Sequence, residues 1–62
     1  MMEWKDWIGK KVFIKLIDGS IFSESLITDF SDGFLSLTDK FDNSVTVNVS
    51  QIIKIVEDNK NA

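Results

Sequence analysis

The feature of this sequence that most constrains its fold is a succession of short runs in which side chains alternate in character, separated by turn-forming residues. These runs occupy residues 12–17, 20–30, 34–38, 44–49 and 52–56. A repeat of two residues is typical of β-strands, because successive side chains point to opposite faces of a sheet. The sequence therefore predicts an all-β chain with five short strands in one strongly bent antiparallel sheet.

Turn-forming residues separate the first four runs. Asp18-Gly19 provides a positive φ angle at little cost and is the strongest hairpin signal in the chain, and residues 31–33 are predicted to form the next turn. Residues 39–43 are predicted to form a loop in which Asn43 is available for a left-handed conformation.

The longest run indicates a barrel-like bend. Neither face of residues 20–30 is apolar along its whole length. This predicts a strand that changes layers midway, as in small closed or half-closed barrels. The predicted barrel spans residues 10–56 within a single domain of residues 1–62.

Both ends of the chain lie outside the predicted barrel. Trp4, Trp7 and Ile8 have the i, i+3, i+4 spacing of one helix face, which predicts a short helix within residues 1–8 that caps an open barrel end. Residues 57–62 are polar and are predicted to form a frayed tail.

The small size of the chain favours association with a partner subunit. A 62-residue chain buries only about 60% of its unfolded surface, and this one has neither cysteine nor histidine to supply a disulfide, a thiolate metal site or the commonest zinc ligand. The fourth and fifth strands would otherwise expose aggregation-prone edges, which predicts a homo-oligomer. The predicted subunit interface comprises Val45, Val47, Val49, Ile53 and Ile55. The alternative is a sheet that closes on itself, with Lys54 blunting the edge.

Composition also limits the function. The net charge is −3, with seven basic and ten acidic residues, which argues against broad binding to duplex DNA. No apolar run approaches the length of a membrane span or signal peptide, so a cytoplasmic location and no membrane partner are expected. No catalytic set, phosphate-binding glycine loop or calcium-loop spacing is present, so we expect no enzymatic activity, cofactor or metal.

A longer pattern covers nearly the whole chain. It consists of an alternating strand that leads into an Asp-Gly turn, spaced apolar residues, a Leu-Ser-Leu strand and two final apolar strands. The matching positions are residues 12–19, Phe22, Leu26, 35–37, 45–47 and 52–55. In this register the chain resembles the Sm/LSm family. The resemblance implies an Sm-like, SH3-type barrel, binding of single-stranded RNA, and rings in which the fourth strand of one subunit pairs with the fifth strand of the next.

The chain departs from the family pattern where the family binds RNA. Glu24 occupies the position where the family motif has its second glycine. Phe30 occupies the position of the family's bend aspartate, and Phe34 that of its loop asparagine. Asn48-Val49 occupies the position of the family's Arg-Gly pair. The resemblance therefore implies the site by position, while the family's uridine-contacting side chains are not carried over identically.

The RNA-binding candidates come from two segments, one at each predicted loop of the site. They are Phe30, Asp32, Phe34, Asn48, Ser50 and Gln51. A phenylalanine can stack on any base, and polar side chains can bind base edges or a 2′-hydroxyl. The alternatives are that both phenylalanines belong to the core and that the polar residues satisfy their own backbone.

Two functions are consistent with these residues. One is an Sm-like ring that binds single-stranded RNA. The other is an Sm-like oligomer that has lost RNA and acts as a protein-interaction module, through the tryptophan helix or a face around Lys15. Lys10, Lys11 and Lys15 could contact phosphate, or could simply form a solvated face.

Overall fold

The computed structural model of the chain describes residues 3–58, which form five β-strands and two single-turn 3₁₀ helices. In chain order the elements are the first 3₁₀ helix (Trp4–Trp7), β1 (Lys11–Leu16), β2 (Ile21–Ser31), β3 (Phe34–Thr38), β4 (Ser44–Asn48), the second 3₁₀ helix (Val49–Gln51) and β5 (Ile52–Glu57). The all-β, five-stranded prediction is confirmed, and no strand boundary differs from its predicted position by more than one residue. Within the described range, no helix combines the length and apolar character needed to cross a membrane.

All five strands pair antiparallel in one sheet with the order β4-β3-β2-β1-β5. The first four strands follow one another as neighbours, and the chain then crosses back so that β5 pairs with β1. Among residues 3–58, β4 pairs only with β3 and β5 only with β1. The sheet is therefore not closed, and its two edges are the two final strands.

Strand β2 is irregular at two places. The register against β1 shifts between Phe22 and Ser25, and Glu24 within this interval has a φ of 51°. The register against β3 shifts between Ile27 and Asp29. Such bulges bend a strand, which explains why neither face of β2 is apolar along its whole length.

The two Asp-Gly turns have different geometries. In the first, Gly19 has a φ of 93° and the side chain of Asp18 accepts a hydrogen bond from the Ser20 backbone N–H at 2.8 Å. In the second, Asp32 and Gly33 both have positive φ, at 56° and 84°, between strands β2 and β3. Two successive positive φ angles are typical of the two-residue type I′ hairpin.

The loop between β3 and β4 corrects one detail of the prediction. The left-handed residue is Asp42, with a φ of 69°, and not Asn43. The carbonyl of Asn43 accepts a hydrogen bond from the Asp39 N–H at 2.9 Å, and its own N–H donates to Asp39 Oδ1 at 2.9 Å. These bonds hold Asn43 in line with β4, so the reversal of the chain falls one residue earlier.

The core lies on the inner side of the bent sheet. Its buried side chains come from β1 to β4 and are Val12, Ile14, Ile27, Leu35, Leu37 and Val47. Trp4 and Trp7 pack against this cluster. In a 3₁₀ helix, residues three apart lie on the same side, so a single turn directs both tryptophans inward.

The predicted extent of the N-terminal helix and tail requires correction. Ile8 lies just beyond the helix with an extended backbone and is exposed, so it does not share the tryptophan face. Glu57 belongs to β5, and the Asp58 N–H donates to the Lys11 carbonyl at 2.8 Å, so the tail begins later than predicted. Residues 1–2 and 59–62, which were assigned to the helix and the tail, lie outside the described range.

Candidate nucleic-acid interface and sheet edges

The two segments predicted to form the RNA site lie side by side in the structure. The β3–β4 register places Phe34 opposite Asn48, and the Val49 N–H donates to the Gly33 carbonyl at 2.9 Å. The β2–β3 turn and the second 3₁₀ helix therefore meet at one end of the sheet. We refer to this region, residues 30–34 with residues 48–51, as the turn-end site.

The two phenylalanines of the turn-end site differ in exposure. Phe34 is 44% exposed, because it lies on the outer face of β3 next to the buried Leu35. Phe30 is half-buried and packs against the core cluster. Of the two, Phe34 is the side chain that can offer a ring face to a base.

The polar residues of the turn-end site are partly used by the backbone. Asn48 Oδ1 accepts a hydrogen bond from the Ser50 N–H at 2.9 Å and so caps the second 3₁₀ helix. Its Nδ2 has no hydrogen-bond partner among the described residues and can donate outward. Ser50 and Gln51 are exposed on the same helix.

The electrostatic character of the turn-end site is acidic. Asp32 is exposed within the site, and Asp29 is exposed on β2 one residue before it. Residues 16–39 include no lysine or arginine. A nucleic-acid backbone would therefore receive little attraction here, and binding would depend on stacking and hydrogen bonds.

Hydrogen-bond alternation shows which backbone groups of β4 face outward. In an antiparallel ladder, residues alternate between pairs that exchange hydrogen bonds and pairs that do not. The bonds between Val49 and Gly33 and between Asp39 and Asn43 set this alternation for the whole β3–β4 ladder. The N–H and C=O of Thr46 consequently point away from β3, toward the open edge.

The backbone groups of β5 alternate in the same way at the other open edge. The Asp58 N–H bonds to the Lys11 carbonyl, and the register from Val12 to Lys15 continues this pairing along β1 and β5. The backbone groups of Ile55 and Glu57 therefore point away from β1. Both edges present unpaired main-chain donors and acceptors, which is the arrangement that pairing with another strand requires.

The predicted interface side chains lie mostly inward. Val47 is buried in the core, and Val45, Val49 and Ile55 are half-buried and pack against it. Ile53 is 59% exposed. Pairing of the two edges would accordingly rest on main-chain hydrogen bonds rather than on these valine side chains.

The lysines predicted as phosphate contacts have different settings. Lys10 Nζ lies 3.7 Å from Glu57 Oε1, and both side chains are partly exposed. Lys11 and Lys15 are exposed on β1, where Lys15 lies on the outer face. The structure does not bring these three lysines to the turn-end site.

Sequence reasoning missed the aromatic residue in the β3–β4 loop. Phe41 is 72% exposed, and Lys40 Nζ lies 5.6 Å from the centre of its ring. Asp39 Oδ1 accepts hydrogen bonds from the Phe41 and Asn43 N–H groups, each at 2.9 Å. These bonds, led by the one from Asn43, lower the pKa of the Asp39 carboxyl. An isolated phenylalanine within a polar loop was the available signal.

No family model, curated protein or solved structure matches this chain.

Proposed function

We propose that this chain is an Sm-like protein that assembles into a homo-oligomeric ring and binds single-stranded RNA at the turn-end site. One observation carries the proposal: the strand order leaves β4 and β5 as the two open edges of a single sheet. Pairing of β4 of one subunit with β5 of the next would satisfy both edges. Repetition of that contact around an axis gives a closed ring with no free edge.

The backbone of Glu24 adds support for the Sm-like fold. The sequence register places Glu24 at the second glycine of the family motif, where a side chain is otherwise absent. Its φ of 51° lies in the left-handed region that favours glycine. A left-handed backbone is the conformation that a glycine at this position would readily adopt, which supports the resemblance.

The assembly is tested by measuring the native mass of the chain and of a variant with one blocked edge. Thr46→Pro removes an N–H that points to the open edge, so no hydrogen bond of the β3–β4 ladder is lost. We expect the unaltered chain to have the mass of a closed oligomer and Thr46→Pro to have that of a monomer with an unchanged circular dichroism spectrum.

The matched control is Thr46→Ala, which removes the side chain but keeps the N–H. It should assemble like the unaltered chain. A monomeric unaltered chain at high protein concentration would rule out the ring.

The RNA proposal rests on the exposed ring of Phe34 beside the Asn48 amide. We expect labelled oligo-uridine or oligo-adenosine to bind at low salt, and Phe34→Ala to weaken binding by about 1–3 kcal/mol per stacked base. Phe41→Ala is the matched control, because it removes an even more exposed phenylalanine outside the turn-end site. Equal losses in both variants, or no binding of either oligonucleotide, would refute RNA binding at this site.

A second function is favoured by the acidic character of the turn-end site. Asp29 and Asp32 would repel phosphate, and no lysine lies in the 24 residues from 16 to 39 to offset them. An oligomer that has lost RNA binding would then act as a protein-interaction module. Saturable oligonucleotide binding that depends on Phe34 supports the first function, whereas an intact oligomer without such binding supports the second.

A further inference from the structure

The outer face of strands β5, β1 and β2 brings two lysines together. Lys15 is the cross-strand partner of Lys54 on β5 and of Ile21 on β2. Residues in register on neighbouring strands point to the same face, so the three side chains form a row. Both lysines are exposed.

This pair is unusual within the sheet. Of all the register pairs in the described strands, only Lys15 and Lys54 bring two charged side chains opposite each other. Like charges placed directly opposite are destabilising. Neither lysine has a carboxylate within ion-pairing distance in the part of the chain that the structure describes.

Aliphatic side chains surround the two lysines. Ile53 occupies the β5 bulge beside Lys54, Val56 lies two residues further along β5, and Ile17 follows β1. Ile21 is the fourth residue of this group. The four side chains are 44–59% exposed, and they make up half of the eight large apolar side chains that are exposed in the described part of the chain. Grouping of exposed apolar residues indicates an interaction surface.

The charge and the apolar residues of this surface indicate the kind of ligand that it binds. Two ammonium groups without counter-charges favour a ligand with carboxylates, and the aliphatic residues favour apolar side chains beside them. Phe13, which lies opposite Val56 on this face, is half-buried, and the net charge of −3 works against a polyphosphate, so single-stranded nucleic acid is disfavoured. We propose that the Lys15–Lys54 face binds an acidic peptide segment in which carboxylate and aliphatic side chains alternate.

This inference goes beyond ring formation and identifies a partner class for the protein-interaction function. The face consists of side chains that project from strands β5, β1 and β2, whereas the ring contact uses main-chain groups at the free edges of β4 and β5. Thr46→Pro should therefore bind the peptide as well as the unaltered chain does. The experiment therefore distinguishes loss of ring formation from loss of peptide binding at the Lys15–Lys54 face.

The test uses a fluorescein-labelled peptide of alternating leucine and glutamate, titrated against the full chain by fluorescence anisotropy. Lys54→Glu should weaken binding about tenfold or more, since it removes a charged contact and adds repulsion. Lys40→Glu makes the same charge change in the β3–β4 loop and should leave the affinity within about twofold. The thermal midpoint of Lys54→Glu should rise, because the like-charge pair becomes an opposite-charge pair.

Two further arms test the chemistry of the ligand. Replacement of the leucines of the peptide by serine, or Ile21→Ser in the protein, should weaken binding through loss of the apolar contacts. The proposal is overturned if Lys40→Glu and Lys54→Glu reduce the affinity equally, or if oligo-uridine displaces the peptide with the same dependence on Lys54. The absence of peptide binding to the folded chain would also overturn it.

Discussion

Three residues other than glycine have left-handed backbones among those described, and all three are acidic. Asp32 and Asp42 lie in turns, where the short side chain of aspartate tolerates this conformation. Glu24 lies within a strand, where it costs of the order of 1 kcal/mol or more. The fold therefore carries backbone strain at the first bulge of β2.

The ionisation of Asp39 is tied to the structure of the β3–β4 loop. Its carboxylate accepts two backbone hydrogen bonds, and the bond from Asn43 is the main cause of its lowered pKa. A carboxyl with a depressed folded-state pKa stabilises the protein above its unfolded-state pKa. That contribution is lost as the pH falls through the lowered value.

We therefore predict that Asp39→Asn removes part of the acid sensitivity of the fold. Chemical denaturation between neutral pH and about pH 3 should show a smaller fall in stability for Asp39→Asn than for the unaltered chain. Carboxyl carbon chemical shifts in the unaltered protein should give an Asp39 pKa below its ordinary value. An Asp39 pKa at or above the ordinary value would contradict the hydrogen-bonded loop.

At the scale of elements, strand positions were predictable because alternation is a local signal. In β3, Leu35 and Leu37 point inward, so the outward position of Phe34 also follows from the sequence. The N-terminal helix was less predictable, since α-helical spacing was assumed for Ile8 where the chain forms one 3₁₀ turn.

Contacts between strands were harder to predict than the strands themselves. The Lys15–Lys54 pair depends on a bulge that shifts the β1–β5 register by one residue. A shift of one residue changes which side chains face each other, and no local pattern marks it. The proximity of Phe34 and Asn48 similarly depends on the geometry of the β3–β4 loop, in which Asp42 rather than Asn43 reverses the chain.

The bulge of β2 leads to a prediction about residue preference. At Glu24, Gly should be tolerated within about 1 kcal/mol, whereas Val should cost about 2 kcal/mol or more, because β-branched residues are poorly accommodated at positive φ. Ile21 is an exposed β2 residue whose φ is not positive. Here the relative stability of the two variants should reverse, so that Val is nearly neutral and Gly destabilises the protein by roughly 0.5–1 kcal/mol. Urea denaturation of the four variants provides the measurement.

The reversal of order is the informative result, since it cancels general effects of side-chain size. If Val were preferred to Gly at both positions, β2 would be a regular strand at Glu24. The bend that shapes the sheet would then have to arise elsewhere.

At the scale of the whole molecule, the small core and the open edges both limit the stability of a single chain. Six buried aliphatic side chains form the core, and two of the five strands have an unpaired edge within the described range. A domain of this size has little stability to spare, so hydrogen bonds between subunits would contribute a large share. Folding and assembly should therefore be coupled.

This coupling predicts that the thermal midpoint depends on protein concentration. Association stabilises the folded state by mass action, so a tenfold rise in concentration should add roughly 1 kcal/mol per subunit. For a domain of this length, that corresponds to a rise of about 4–8 °C in the midpoint. Thr46→Pro, with its β4 edge blocked, should melt at a lower temperature that does not change with concentration. The contrary result is that the unaltered chain, Thr46→Pro and Thr46→Ala all have the same thermal midpoint at every protein concentration. The monomer would then be stable by itself, with its edges protected without a partner.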